Sequence, residues 1–345
     1  MILGIEIGGT KLQLGVGVGD GSPLVVLQRQ RVDPKRGAEG IREQIQHFAP
    51  PLIERYRPAG IGIGFGGPVD PAAGRVIKSH QVGGWDDFPL ADWAQETLGL
   101  RSVVGNDSDL AGLAEARFGA GRGFSIVFYN NIGSGIGGAL VIGGQLHTGS
   151  RGIAAELGHL RPGLQSDRPD QTVEALASGW AIAATAQARV SDPVSHRLGP
   201  LMAGGRPQGA ESVRQRLIER EEVDERWAGD LLDRCQGHVE RLTTEIVAKA
   251  AADGNELARE VFQQACQTLG WALAQMITLL APHVIVIGGG VSLVGEALFL
   301  APLRREVERY VFPPLVGSYQ IIPALLGEDV VVHGALANAA ARLGS

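Results

Sequence analysis

Two glycine-rich segments share one layout although more than a hundred residues separate them. Gly8-Gly9-Thr10-Lys11 and Gly133-Ser134-Gly135-Ile136-Gly137-Gly138 each lie between two apolar runs. Glycines between two strands make a tight hairpin whose bare N–H groups can come close to an anion, and Thr10 or Ser134 adds a hydroxyl donor. Two such hairpins facing each other would clamp a polyphosphate. An ordinary turn explains either hairpin alone; the duplication favours the phosphate reading.

Two other phosphate motifs fail on context. Gly133 to Gly138 satisfies Gly-x-Gly-x-x-Gly, but a dinucleotide site needs a helix directly after the glycines to receive the pyrophosphate. Here Ala139-Leu140-Val141-Ile142-Gly143-Gly144 follows, and this short apolar run closed by glycines predicts a strand. A Walker A loop is also absent, because Lys11 has only two glycines before it and no helix after it.

The elements that hold these segments follow from the apolar periodicity. The first half predicts strands at Ile2–Gly8, Leu12–Val18 and Val25–Arg31, a helix over Ala38–Tyr56 and a strand at Gly60–Gly64. A loop through Trp85, a helix near Leu90–Leu98, a strand at Ser102–Gly105 and a helix over Asp107–Phe118 complete it. Asp107 follows a strand and opens a helix, so its residue type also suits an N-cap. The pattern restarts at Phe124 with a strand pair, becomes mainly helical, and reaches a last buried strand at Val284–Ile287 before Gly288-Gly289-Gly290. Two related α/β lobes are expected, 1–120 and 121–332, divided near Gly119–Gly123, with a final helix over 333–345 packing back on the first.

A chain of 345 residues is long enough for two such lobes. With 44% hydrophobic residues and no apolar run that spans a bilayer, it reads as a soluble protein without a membrane partner. Met1 leads directly into a strand, so no export signal is expected and the cytoplasm is the default location. Cys235 and Cys266 are the only cysteines, and both are expected to be buried helix residues, not a disulfide or a zinc site. Net charge is -6, and the densest charged stretch, Arg214–Arg226, mixes both signs. It reads as a solvated helical face, and nucleic-acid binding is unsupported. Ser191–Gln208, rich in Pro, Gly and Ser, reads as a surface excursion.

With these pieces in order, the chain resembles the ROK family (repressor, open reading frame, kinase) of sugar kinases and sugar-responsive repressors, from Ile2 to about Leu343. Glu6-Ile7-Gly8-Gly9-Thr10-Lys11 is similar to the family's first phosphate motif, and Ile132 to Gly138 to its second. Val284 to Ser292, including Gly288, Gly289 and Gly290, resembles its adenosine-side segment. Gly64 to Asp70 resembles its sugar-side turn, where Gly67 sits, and Glu156-Leu157-Gly158-His159 its sugar-binding signature. The resemblance implies a two-lobed actin-like (RNase H-like) α/β ATPase fold with the active site in the interlobe cleft. It implies ATP and Mg2+ as cofactors, a small-molecule sugar as substrate and a homodimer. It makes Asp107 the base that accepts the proton of the attacking hydroxyl. Asn106, Glu156, His159 and Glu174 become sugar contacts, and Glu6 a magnesium contact, direct or through water.

Five departures qualify this. Glu6 stands where Asp is commoner; Gly66 replaces Pro; Gln81 replaces an Asn ahead of Trp85. The stretch from Leu160 to Val173 has no cysteine, so the family's zinc site is not expected and His159 lacks that partner. The segment 191–226 also looks longer than in glucokinase members. The expected function is ATP-dependent phosphorylation of glucose or a close hexose at the 6-hydroxyl, with ATP against polyphosphate left open. The alternatives are a kinase for fructose or an N-acylhexosamine, and a non-catalytic sugar sensor without a DNA-binding domain, since no winged helix is expected before Glu6.

Overall fold

The computed structural model describes residues 1–79, 81–163, 168, 170–191 and 225–344. Most of the Pro/Gly/Ser-rich excursion and of the mixed-charge stretch lies outside these residues, as do 164–167 and 169 of the cysteine-free loop.

Two five-stranded sheets organise the chain. In the first, β1 (Ile2–Ile7), β2 (Lys11–Gly17), β3 (Val26–Arg31), β4 (Ile61–Phe65) and β7 (Ser102–Asn106) lie in the order β3-β2-β1-β4-β7. In the second, β8 (Ile126–Ile132), β9 (Ile136–Ile142), β10 (Gln145–Leu146), β11 (Val284–Gly288) and β12 (Gln320–Pro323) lie in the order β10-β9-β8-β11-β12. Each sheet begins with an antiparallel glycine-tipped hairpin and continues with parallel strands. The strand expected after the second glycine string is β9, which confirms that the string is no dinucleotide fingerprint.

Every residue of β1, β4 and β11 is buried, as expected for strands covered on both faces. Helix α1 (Gly37–Tyr56) covers one face of the first sheet, and the last helix covers the other. Helices α2 (Leu90–Leu98) and α3 (Asp107–Phe118) flank its parallel strands. The second sheet packs on α4 (Val173–Ala177), α5 (Gly179–Ser191), α6 (Thr244–Ala252), α7 (Glu256–Leu280) and α8 (Ala301–Tyr310), around a core that includes Phe128, Phe262, Phe299 and Leu303.

Helix α9 (Val330–Leu343) runs across β1 and β4 and against α3. Its close seat depends on glycine. A Cβ at Gly62 would stand 2.0 Å from the Ala335 carbonyl oxygen, and one at Gly334 1.9 Å from that of Leu110. The far end of α3 is tied down by Glu115, a fully buried carboxylate that accepts from the amides of Ala120, Leu325 and Leu326.

Several local expectations need correction. Val69–Asp70 and Arg75–Val76 pair as a small hairpin, β5–β6, inside the stretch expected to be loop. Strands β10 and β12 are too short, at 2 and 4 residues, to show a period, so Val284–Ile287 is not the last strand. Cys266 is buried in α7, but Cys235, also buried, sits just past helical residues 225–234.

Candidate active site

Between the two sheets lies a cleft of about 470 Å³. Gly66, Gly67 and Gln81 line it from the first sheet's side, and Asn106 and Asp107 from the start of α3. Gly133, Ser134 and Gly135 line it from the β8–β9 turn, and Glu156, His159 and Glu174 complete it. Every residue expected to meet the sugar is therefore in one cavity.

The helix cap is Asn106, not Asp107. Asn106 has extended backbone, and its Oδ1 accepts from the amides of Ser108 at 2.9 Å and Asp109 at 3.1 Å. An N-cap uses just this geometry, and Asp107 is the first helical residue. Asn106 Nδ2 donates to the Gly67 carbonyl at 2.9 Å, joining the sugar-side turn to α3. With its oxygen and one N–H engaged, Asn106 has one N–H left for a ligand.

Asp107 Oδ1 accepts from the Ser108 amide at 2.7 Å, whereas Oδ2 has no donor among the described residues. A Cβ at Gly66 would stand 3.4 Å from Oδ2, so the glycine keeps that side of the oxygen open. Burial pushes the Asp107 carboxyl up to about 6; the charges of Glu6 and Glu156 add to the rise, and the Ser108 amide and hydroxyl oppose it. A raised carboxylate poised in a cleft is what a general base at neutral pH requires.

Glu156 Oε2 lies 4.0 Å from Nε2 of the exposed His159. Burial also raises the Glu156 carboxyl, against the pull of His159. Glu174 is already engaged: its Oε2 accepts from the Ile136 amide at 2.7 Å. In this conformation it buttresses the second hairpin while facing the cleft.

The two glycine-tipped hairpins do not share the cavity. None of Gly8 to Lys11 lines the cleft, and Gln81 stands between, with its Oε1 1.8 Å from where a Cβ at Gly9 would be. The amides of Gly9, Thr10, Ser134 and Gly135 donate to no group among the described residues, so both turns hold free donors. Gly288 pairs with Asn131 at the end of β8, which brings Gly288-Gly289-Gly290 to the second hairpin but outside the cleft lining.

Glu6 is buried below the first hairpin. Its Oε1 is 3.1 Å from Lys11 Nζ, and its Oε2 accepts from Gln13 Nε2 at 2.6 Å. Both oxygens being taken, a direct ligand role does not fit this arrangement; a contact through water does. Magnesium is usually held by one or two carboxylates plus substrate phosphates and keeps several waters, so a protein cage is not required.

Trp180 was not expected at the site. It lines the cleft with 61% of its surface exposed, placed there because Gly179 donates to Gly133 O at 2.8 Å. A lone Trp opening a helix carries no pattern that predicts this.

Two sheets that each begin with a phosphate-type hairpin, closing on a cleft with a carboxylate at a helix start, define a two-lobed actin-like α/β protein of the sugar-kinase class. The chain belongs to the ROK family, whose profile matches residues 2–342. It is 28% identical to the glucokinase of Thermotoga maritima over 99% of this chain and 98% of that protein. Among solved structures it is similar to a ROK family glucokinase from Streptomyces griseus in complex with glucose and AMPPNP, at 29% identity and a TM-score of 0.75 over 97% of both chains. It is also similar to the ROK hexokinase of Thermus thermophilus, at 25% identity and a TM-score of 0.71 over 99% of both chains.

Proposed function

We propose that this chain is an ATP-dependent hexose kinase that phosphorylates glucose or a close relative at the 6-hydroxyl, with Asp107 as the base. The observation that carries it is the bare Oδ2 of Asp107 in a cleft shared with Asn106, Glu156 and His159, beside the free amides of a phosphate-type turn. The glucose and AMPPNP bound by the similar Streptomyces griseus enzyme support the substrate pair.

In this reading the sugar ring lies among the Asn106 N–H, Glu156, His159 and Glu174, and its hydroxyl points at Asp107 Oδ2. The hydroxyl oxygen bonds to the γ-phosphorus, the bond to the β-phosphate oxygen breaks, ADP leaves and the proton passes to Asp107. The transition state is loose, so Asp107 chiefly orients the hydroxyl while the free backbone donors of Ser134–Gly135 and Gly9–Thr10 meet the phosphate charge. Magnesium bound with the nucleotide would neutralise phosphate charge, with Glu6 toward it through water and Lys11 holding Glu6 in place. Gln81 must swing off Gly9 for the first hairpin to meet the nucleotide. Gly288–Gly290 borders the adenosine.

The same reading divides the chain into lobes of 1–120, joined by the final helix from 333, and 121–332; the seat of α9 on β1 and β4 supports it. A coupled ADP-release assay over glucose, fructose and N-acylhexosamines tests the function. Glucose-dependent ADP release above the other sugars is expected, and no hexose-dependent release from any of them would overturn the proposal.

A further inference from the structure

A second cavity, of about 210 Å³, lies behind α3 and shares no lining residue with the cleft. Asp109 reaches it from α3, Thr148 from the segment after β10, and Asn338 from α9. Leu110 and Leu113 supply apolar wall.

Asp109 is the anomaly. The residue is only 9% exposed, and its carboxylate accepts no hydrogen bond and forms no ion pair among the described residues. A largely buried carboxylate that lines a cavity without a protein partner is costly unless water or a ligand serves it there. Burial, then the negative charges of Glu156 and Asp107, raises its pKa to about 7, and no cation offsets them. Nothing in the kinase chemistry uses it.

The rim carries two guanidinium groups with donors to spare. Arg117 donates through Nε to Gly144 O at 2.8 Å, and Arg342 through one Nη to Pro71 O at 3.0 Å. A cationic ligand drawn to Asp109 would meet both arginines, and an anion would bring a second negative charge toward a buried carboxylate. An uncharged hydroxylated molecule suits all three, giving a hydroxyl proton to Asp109 and accepting from the remaining guanidinium N–H groups. The cavity is smaller than the roughly 300–1,000 Å³ of drug-sized sites, which limits the ligand to about a dozen non-hydrogen atoms.

We propose that this pocket is a second ligand site, which takes a small uncharged polyol of hexose size or smaller and binds one of its hydroxyls through Asp109. The site goes beyond the kinase reading and does not rest on it.

Calorimetric titration with glycerol, erythritol and myo-inositol tests it on the full chain without nucleotide. At least one probe should bind saturably at one per chain. Thr148→Val, Asn338→Leu and Asp109→Leu should each weaken that binding by about tenfold or more, the loss of one good hydrogen bond. His159→Ala, in the cleft, should leave it within a few-fold. Three results overturn the proposal: no saturable heat from any probe on wild-type protein, binding unmoved by both Thr148→Val and Asn338→Leu, or binding abolished by His159→Ala. The first two variants decide the matter if Asp109→Leu does not fold. A separate glucose titration reads the cleft, so failure of the kinase reading is distinguishable from failure of this one.

Discussion

The carboxylate of Glu174 accepts a 2.7 Å hydrogen bond from the backbone amide of Ile136, the residue that follows the second glycine turn. A group expected to hold the sugar therefore also holds the turn expected to meet the phosphate. A Cβ at Gly135 would stand 2.5 Å from the same oxygen, so the turn and the carboxylate fit each other only because residue 135 is glycine.

Removing that acceptor should affect both substrates. Glu174→Ala leaves a partly buried amide unpaired, at a cost of about 1–3 kcal/mol in stability, and should raise KM for hexose and for nucleotide together. Glu174→Gln keeps an acceptor and should recover most of the stability but not the hexose KM. Equal thermal stability of the two variants would show that the Ile136 bond contributes nothing.

Bulk on the glycines separates nucleotide from sugar. Gly9→Val forces Gln81 aside, and Gly135→Val forces Glu174 off Ile136. Either should raise nucleotide KM or lower kcat, and Gly9→Val should leave sugar binding without nucleotide near wild type by calorimetry. Normal ATP turnover by both variants would refute the roles given to the two turns.

Legibility followed local chemistry. Both hairpins, α3 beginning at Asp107 and the helix ending at Leu343 were readable because apolar runs, glycines and strand-to-helix junctions are local signals. The sequence left the cap open because Asn106 and Asp107 are adjacent and either side chain can cap; only the extended backbone at Asn106 decides it. Gln81 over Gly9, Trp180 at the cleft and Glu174 on Ile136 join residues distant in sequence, and no spacing rule reports them. The same holds for Gly62 and Gly334, whose lack of side chains admits a carbonyl group from another element.

Zinc should be missing from the purified protein. The chain's two cysteines are buried, and no group of three His, Cys, Asp or Glu is placed to hold a metal among the described residues. A structural zinc site needs about four ligands. One zinc per chain by elemental analysis would contradict this.

Stability should depend on pH through Asp109. Its pKa is about 7 in the fold against 3.8 as the ordinary value, so the folded state binds the proton more tightly. This contribution is fully present below the ordinary value and is lost as pH rises toward and through 7. The melting temperature should therefore fall between pH 5 and pH 8, and Asp109→Asn should flatten that fall. An unchanged slope in Asp109→Asn would show that the carboxylate does not titrate in this range.

The most direct test of the account is turnover by Asp107→Asn, measured with glucose affinity on the same preparation. Loss of a positioned base costs about a hundred- to ten-thousand-fold in rate. The variant should lose kcat on that scale and keep glucose affinity within a few-fold, while wild-type kcat/KM falls on the acid side of about pH 6, where Asp107 protonates. An Asp107→Asn enzyme that turns over glucose and ATP at near wild-type rate would contradict the account.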